Sequence, residues 1–321
     1  MDSQELVQDI RRGRPRAIAR AISLVEDGDK PARELLKGLF TSRREAAVLG
    51  ITGAPGTGKS TLVDQIIAHL RGARKKIGVV AIDPSSPFTG GAILGDRIRM
   101  MRHSIDAGVF IRSMATRGHL GGLAKATGEA IAIFEAAGKD FVLVETVGVG
   151  QDEVDVVKLA DLVIVVLTPG SGDDIQTFKA GIMEIADIFV INKADAPGVE
   201  KMAQQLAAML DMGFPGREPP PVVRTIATRG GGLDALMAET HRLLRSRPAS
   251  FRETRRKRLL AWMLRDIIKD SLFELMTRRI PETEFERCVD RIYCRETDPY
   301  SAADRLLAAL MKELSAERRR K

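Results

Sequence analysis

Apolar positions along the chain change their spacing twice. Over residues 1–45 they follow a helical repeat: Ile18, Ile22 and Val25 share one face, Asp27-Gly28 interrupts the pattern, and Pro31 opens a second short helix. From 46 to 245 short apolar runs alternate with helical stretches. The runs are Ala47–Thr52, Ile77–Ile82, Val109–Arg112, Phe141–Glu145, Leu162–Leu167, Ile188–Ile191 and Val222–Ile226. Most lack polar alternation, as strands buried on both faces do. Ser60–Leu70, Leu123–Ala137 and Gln176–Ala186 carry helical spacing between them. Strands alternating with helices predict an α/β fold, a doubly wound and mostly parallel sheet flanked by helices, whose ligands sit at the carboxyl ends of the strands. From 246 the strand runs stop, Pro248 intervenes, and helices are predicted around 253–276, 282–292 and 300–316. The expected organisation is a helical N-terminal extension (1–45), a central α/β domain (46–245) and a helical C-terminal extension (246–321). The last either packs on the central domain or pairs two subunits.

Composition narrows the class. With 321 residues, 44% of them hydrophobic, the chain has enough apolar material for a sizeable core. No apolar run reaches the roughly 18 residues of a membrane-spanning helix, and residues 1–20 lack the apolar stretch of a secretion signal. A cytoplasmic location without membrane contact is expected. Cys288 and Cys294 match neither a metal spacing nor a disulfide framework, and the four histidines do not cluster. The net charge of +7 draws on Arg11-Arg12, Arg43-Arg44, Arg255-Arg256-Lys257-Arg258 and the tail Arg318-Arg319-Arg320-Lys321. With two tyrosines and one tryptophan there is no stacking platform for single strands, so these charges read as solvated helix faces and not as a nucleic-acid surface.

The chemistry concentrates where the first apolar run ends. Gly53-Ala54-Pro55-Gly56-Thr57-Gly58-Lys59-Ser60, followed by Thr61, fits the phosphate-binding pattern G-x-x-x-x-G-K-S/T between a strand and a helix. Glycines let backbone N–H groups curl around phosphates, and the helix N-terminus adds positive potential. Lys59 is placed to reach the β- and γ-phosphates and Ser60 to ligate Mg²⁺. Asp83 and Glu145, each at a strand end, and Asp96 are the candidate carboxylates for that ion. Glu145-Thr-Val-Gly148 stands where many GTPases carry D-x-x-G, and the Gly148 N–H can meet the γ-phosphate. Val149 occupies the place of the usual switch glutamine, with Gln151 nearby. Slow intrinsic hydrolysis, accelerated by a partner, is expected.

Base selection is legible further on. Asn192-Lys193-Ala194-Asp195 follows the run Ile188–Ile191. An aspartate accepts from both the ring N–H and the amine of guanine, a donor pair adenine lacks. The lysine stem covers the base, and the asparagine ties this loop to the phosphate loop. Ala227, after the last run, can offer its N–H to the guanine oxygen. The ligand is therefore GTP or GDP with Mg²⁺. Three loop-rich stretches complete the ligand edge: Asp83 to Asp96, Ser113 to Gly122 with Arg117 and His119, and Pro169 to Lys179 with Asp173 and Asp174. Asp173 and Asp174 either cap a helix or, with Lys179, relay nucleotide state to a partner.

Taken in order, Gly53-Ala-Pro-Gly-Thr-Gly-Lys-Ser-Thr, Asp83-Pro-Ser-Ser, Gly90-Gly-x-Ile-Leu-Gly-Asp96, Glu145-Thr-Val-Gly-Val-Gly-Gln151 and Asn192-Lys-Ala-Asp195 resemble the MeaB/ArgK family of GTPases associated with methylmalonyl-CoA mutase. The resemblance covers residues 1–245; the C-terminal part fits in length and helical character only. It implies a homodimeric G protein, with the C-terminal helices as dimerisation arm. The client would be an adenosylcobalamin-dependent acyl-CoA mutase such as methylmalonyl-CoA mutase, and a cobalamin adenosyltransferase would supply the cofactor. It implies that Ser60, Asp83, Asp96 and Glu145 belong to magnesium and the switch regions. It also implies that the stretch Thr168–Lys179, with Asp173, Asp174, Gln176 and Lys179, is an extra switch facing the mutase. The alternatives are a P-loop kinase or transport-linked ATPase, a metal-insertion GTPase, and a nucleotide-sensing scaffold without turnover. The guanine motif opposes the first, and the lack of a His-rich tract or Cys-x-x-Cys pair opposes the second.

Overall fold

A computed structural model of the protein describes residues 3–28, 30–40, 45–83, 100–103, 105–115, 122–146, 159–170, 185–214, 216 and 218–318. Seven strands form one parallel sheet: β1 Ala47–Thr52, β2 Ile77–Asp83, β3 Val109–Ala115, β4 Phe141–Glu145, β5 Leu162–Leu167, β6 Ile188–Ile191 and β7 Val222–Arg224. Their order across the sheet is β3-β2-β4-β1-β5-β6-β7. β1 therefore lies centrally, between β4 and β5, and the chain reverses its winding there. That reversal opens the crevice where an open α/β sheet takes its ligand.

Helices cover both faces. α4 (Lys59–Gly72) and α7 (Leu233–Ser246) bury Leu62, Val63, Ile66, Leu236 and Met237 against Leu49, Ile51, Val79, Leu143, Ile164 and Val190. On the other face lies α5 (Gly122–Ala136), whose fully buried Phe134 sits over β2. A Cβ on Gly78 would come within 2.6 Å of that ring. Phe110 of β3 meets the same ring edge-on at 5.8 Å. The helices α1 (Ser3–Arg11), α2 (Pro15–Glu26) and α3 (Lys30–Leu39) pack on one another and on α5. Glu26 and Ser23 of α2 also hold Arg112 of the edge strand β3. α6 (Val199–Gly213), between β6 and β7, buries Met202, Leu206 and Leu210.

Three aspartates set strand register at the amino edge. Asp140, Asp161 and Asp187 directly precede β4, β5 and β6, and each accepts a backbone N–H at a neighbouring strand: Lys76, just before β2, at 2.7 Å, Val48 of β1 at 2.8 Å and Val163 of β5 at 2.8 Å. Arg247 braces two of them, pairing with Asp187 and donating to the Asp161 carbonyl.

The chain divides into two compact units, Met1–Leu259 and Leu260–Lys321. The long helix α8 spans Ala249–Arg279, followed by α9 (Glu282–Tyr293) and α10 (Pro299–Arg318). Within the second unit Ile280, Cys288, Ala302, Leu306 and Leu310 form a small core, while Leu264, Leu272, Phe273, Val289, Tyr293 and Met311 remain at least half exposed.

The predicted runs became strands with small shifts at their ends. β3 continues to Ala115, and β7 stops at Arg224 because Ile226 turns away to bridge Gly231. The predicted helix Gln176–Ala186 lies largely outside the described residues. One charge reading is corrected. Arg256, expected on a solvated face, is half-buried and pairs with Glu135 at 3.0 Å and Glu45 at 3.1 Å. Burial raises the Glu135 carboxyl above its ordinary range, and the Arg256 guanidinium opposes that rise.

Candidate nucleotide-binding site

The phosphate loop runs from the end of β1 to the first residue of α4. Two of its glycines are required by close approach. Gly53 has φ 145°, and a Cβ there would stand 2.1 Å from the Val166 carbonyl oxygen. Gly58, at φ 90°, is the N-cap of α4, and its Cβ would stand 2.4 Å from Asn192 Nδ2. Between them Pro55 and Gly56 lie at the exposed rim, Ala54 is half-buried, and the Thr57 hydroxyl closes the turn on the Ala54 carbonyl at 2.9 Å. Lys59 is buried and folds back over the loop, donating to the Gly53 carbonyl at 2.7 Å and to that of Ala54 at 3.0 Å. Thr61 follows half-buried in the first turn.

Ser60 and Glu145 meet at the carboxyl edge of the sheet. The Ser60 hydroxyl donates to Glu145 Oε1 at 2.7 Å, and both residues are buried. They are 85 positions apart in the chain and come together because β1 and β4 are register neighbours. A hydroxyl and a carboxylate beside a phosphate loop form a hard-oxygen pair suited to Mg²⁺. Asp83 ends β2, the strand on the other side of β4, two residues beyond the Ala81 that pairs with Glu145. Among the described residues no three His, Cys, Asp or Glu gather as a cage. Mg²⁺ that keeps waters and phosphate oxygens needs none.

Asn192 joins three elements. Its Nδ2 donates to the Thr57 carbonyl at 2.8 Å, while its Oδ1 accepts from the Thr225 hydroxyl and the Ala227 N–H, both at 3.1 Å. The Ala227 N–H thus has a protein partner, and a base oxygen would have to share it. Lys193 takes φ 56° and lays its side chain across to the Gly56 carbonyl at 2.8 Å, so its stem spans the space beside the phosphate loop. Asp195 is exposed in the following turn, with Arg229 3.9 Å away. Thr225 and Arg229 were not singled out by sequence reasoning; their neighbour Ala227 was.

The structure thus brings together Gly53 to Thr61, Glu145, Asn192, Lys193, Asp195 and Ala227, with the end of β2 alongside. Asp96, Arg117, His119, Gly148, Val149, Gln151, Asp173, Asp174, Gln176 and Lys179 lie outside the described residues. No described helix is long and apolar enough to cross a membrane.

A parallel sheet with a phosphate loop at its central strand and an Asn-Lys-x-Asp turn two strands away defines a P-loop nucleotide-binding protein. The comparisons sharpen that class. The family model for the methylmalonyl Co-A mutase-associated GTPase MeaB matches residues 18–280, and the chain belongs to that family. It is a GTPase. A protein of Pyrococcus abyssi that carries a GTPase name is 49% identical over 313 residues, 96% of each chain. The mouse protein named methylmalonic aciduria type A homolog, mitochondrial, is 33% identical over 93% of this chain and 77% of its own length. A crystal structure titled LAO/AO transport system kinase superposes with TM-score 0.67 at 24% identity, covering 96% of this chain and 97% of the other, and so shares the fold.

Proposed function

We propose that this GTPase is a Mg²⁺-dependent G-protein chaperone of an adenosylcobalamin-dependent acyl-CoA mutase, methylmalonyl-CoA mutase being the leading client. The observation that carries the nucleotide half is the Ser60–Glu145 hydrogen bond at 2.7 Å beside a guanine-type loop tied to the same phosphate loop by Asn192. The family's description and the mouse relative's name support the mutase half.

In this reading Gly53 to Thr61 cradle the phosphates through backbone N–H groups. Lys59 exchanges its two carbonyl acceptors for β- and γ-phosphate oxygens. Ser60, with Glu145, Asp83 and Asp96, holds the ion. When bound, Mg²⁺ supplies Lewis-acid neutralisation of phosphate charge. The Gly148 N–H meets the γ-phosphate, so hydrolysis removes its partner and the state is read out. Asp195 accepts from guanine, the Lys193 stem covers it, and Ala227 shares its N–H with the base oxygen. Asp173, Asp174, Gln176 and Lys179 couple that state to the mutase. The helices beyond residue 245 form the arm of a homodimer, a role favoured by the large apolar side chains left exposed there. Gating of cofactor delivery from a cobalamin adenosyltransferase, in the cytoplasm, completes the proposal.

The test is GTP hydrolysis with and without a purified adenosylcobalamin-dependent acyl-CoA mutase, ATP serving as control. GTP-selective acceleration supports the proposal. GTP-selective turnover indifferent to every such mutase would remove the chaperone role and leave the GTPase.

A further inference from the structure

The buried hydroxyls of Thr57, Thr225 and Thr240 each donate to a protein oxygen, at 2.9, 3.1 and 2.8 Å. Those of Thr52 and Thr146 meet no hydrogen-bond partner among the described residues, although Thr52 is fully buried and Thr146 only 2% exposed. Ser113 and Thr168 share that state singly, on β3 and just after β5; Thr52 and Thr146 share it side by side. An unmet hydroxyl in the interior is costly, and valine would fill the same space without that cost.

The pair is set by the sheet. Thr52 ends β1, Thr146 follows β4, and the Thr146 N–H donates to the Ile51 carbonyl at 3.0 Å. Register puts Ile51 beside Glu145, so Thr52 stands beside Thr146 on strands about 4.8 Å apart. Ile51 packs with the apolar side chains of α4, and Glu145 accepts from Ser60 of the same helix. Strand alternation therefore turns both threonines to the opposite face. Two neighbouring hydroxyls in this state fit one water molecule: a buried water makes roughly three hydrogen bonds, and the pair supplies two of them.

The location gives that water a use. Thr52 immediately precedes Gly53, where the phosphate loop starts, and Thr146 immediately follows Glu145. On the other face the Ser60 hydroxyl reaches Glu145 Oε1 at 2.7 Å. The spacing of β1 and β4 at this level sets how Glu145 meets the first turn of α4. We propose that Thr52 and Thr146 bind a buried water between the ends of β1 and β4, and act through it as positioning residues that hold Glu145 against Ser60. The idea rests on the reading that Ser60 and Glu145 take Mg²⁺ with the bound nucleotide. With the strand ends joined from behind, the carboxylate has less conformational freedom to lose when the ion arrives.

The test compares full-length wild type with Thr52→Val, Thr146→Val, the double variant, and Thr52→Ser and Thr146→Ser, which keep the hydroxyl. Fluorescent GDP is titrated in EDTA, and a non-hydrolysable GTP analogue is titrated across a Mg²⁺ series. The valine variants should bind GDP within about twofold of wild type and need about fivefold more Mg²⁺ at the midpoint. Loss of either hydroxyl releases the same water, so the double variant should be no worse than the worse single one. The serine variants should match wild type. A crystal structure of the wild type should show one solvent peak within hydrogen-bond distance of both hydroxyls, and that of Thr52→Val should lack it. Unchanged midpoints, parallel loss of both nucleotides, serine variants as impaired as the valine ones, or no shared water in the wild type would each overturn the proposal. Should one valine variant fail to fold, the other carries the same readouts. A wild type whose GTP-analogue affinity ignores Mg²⁺ sinks the metal reading itself, a result distinct from a Mg²⁺-responsive wild type whose valine variants respond identically.

Discussion

Asn192 Nδ2 donates to the Thr57 carbonyl at 2.8 Å across 135 positions of sequence, joining the base-reading loop to the phosphate loop. Removing that side chain strands the Thr57 carbonyl, the Thr225 hydroxyl and the Ala227 N–H. A buried polar group without a partner costs about 1–3 kcal/mol. Asn192→Ala should therefore lower the melting temperature and weaken GTP and GDP alike. Calorimetric titration beside thermal melting checks both, and a variant with wild-type nucleotide affinity would contradict the coupling. Gly58→Ala should do comparable harm, since its methyl would displace the locked Asn192 amide.

Asp195→Asn should erase preference for guanine while sparing the phosphate loop, which it does not touch. The 3.9 Å contact with exposed Arg229 contributes little to stability in water, so folding should be unchanged. Competition of GTP and xanthosine triphosphate for the variant is the direct measurement. Retained discrimination of GTP from ATP would refute the assignment.

Ser60→Ala should separate metal from base. GDP binding in EDTA should persist, and the gain in GTP affinity on adding Mg²⁺ should fall by about tenfold or more. Lys59→Ala should instead lose the γ-phosphate contribution at every Mg²⁺ level. Identical metal dependence in the two variants would contradict this division of roles.

Lys139, at the amino edge of the sheet, predicts an alkaline effect. Burial, with Lys76 and Arg71 adding repulsion, lowers its ammonium from 10.5 to about 8. Between those values the unfolded chain keeps the proton and the folded chain releases it, so this group makes stability rise with pH. Below about pH 8 it is a standing cost, at most about 3 kcal/mol. Lys139→Met should be more stable than wild type at pH 7, and the difference should shrink toward pH 10. Urea melts at both pH values decide it, and a constant difference would show that burial of the charge is not its cause.

On the proposed dimerisation arm, Leu272→Glu or Phe273→Glu in the second unit should turn a homodimer into a monomer while leaving basal GTP hydrolysis near wild type. Sedimentation velocity reads the mass. A wild type that sediments as a monomer would remove the dimerisation arm.

The phosphate loop was legible because its determinants are contiguous: strand, glycines and helix cap occupy Ala47–Thr61 as one local unit. The parallel strands were legible because burial on both faces strips them of polar positions, as in Leu162–Leu167. Long-range pairing carries no such mark. Nothing local in Arg256 distinguishes a half-buried anchor from a solvated charge. The amide of Ala227 is expected to serve the base, yet its protein partner Asn192 emerges only once β6 and β7 lie side by side. The shortened β7 has a similar origin: Ile226 continues the apolar run, but its backbone is taken by the bridge to Gly231.

The aspartates Asp140, Asp161 and Asp187 give the sheet a polarity of function. Asp161 and Asp187 hold the first peptides of β1 and β5, and Asp140 holds Lys76 just before β2, so slippage of one strand past another is opposed at the end remote from the phosphate loop. The opposite edge, where the phosphate loop begins, thus rests on strands whose register is set elsewhere. Loops at the carboxyl edge of a sheet so pinned can change in length and sequence without altering how its strands line up.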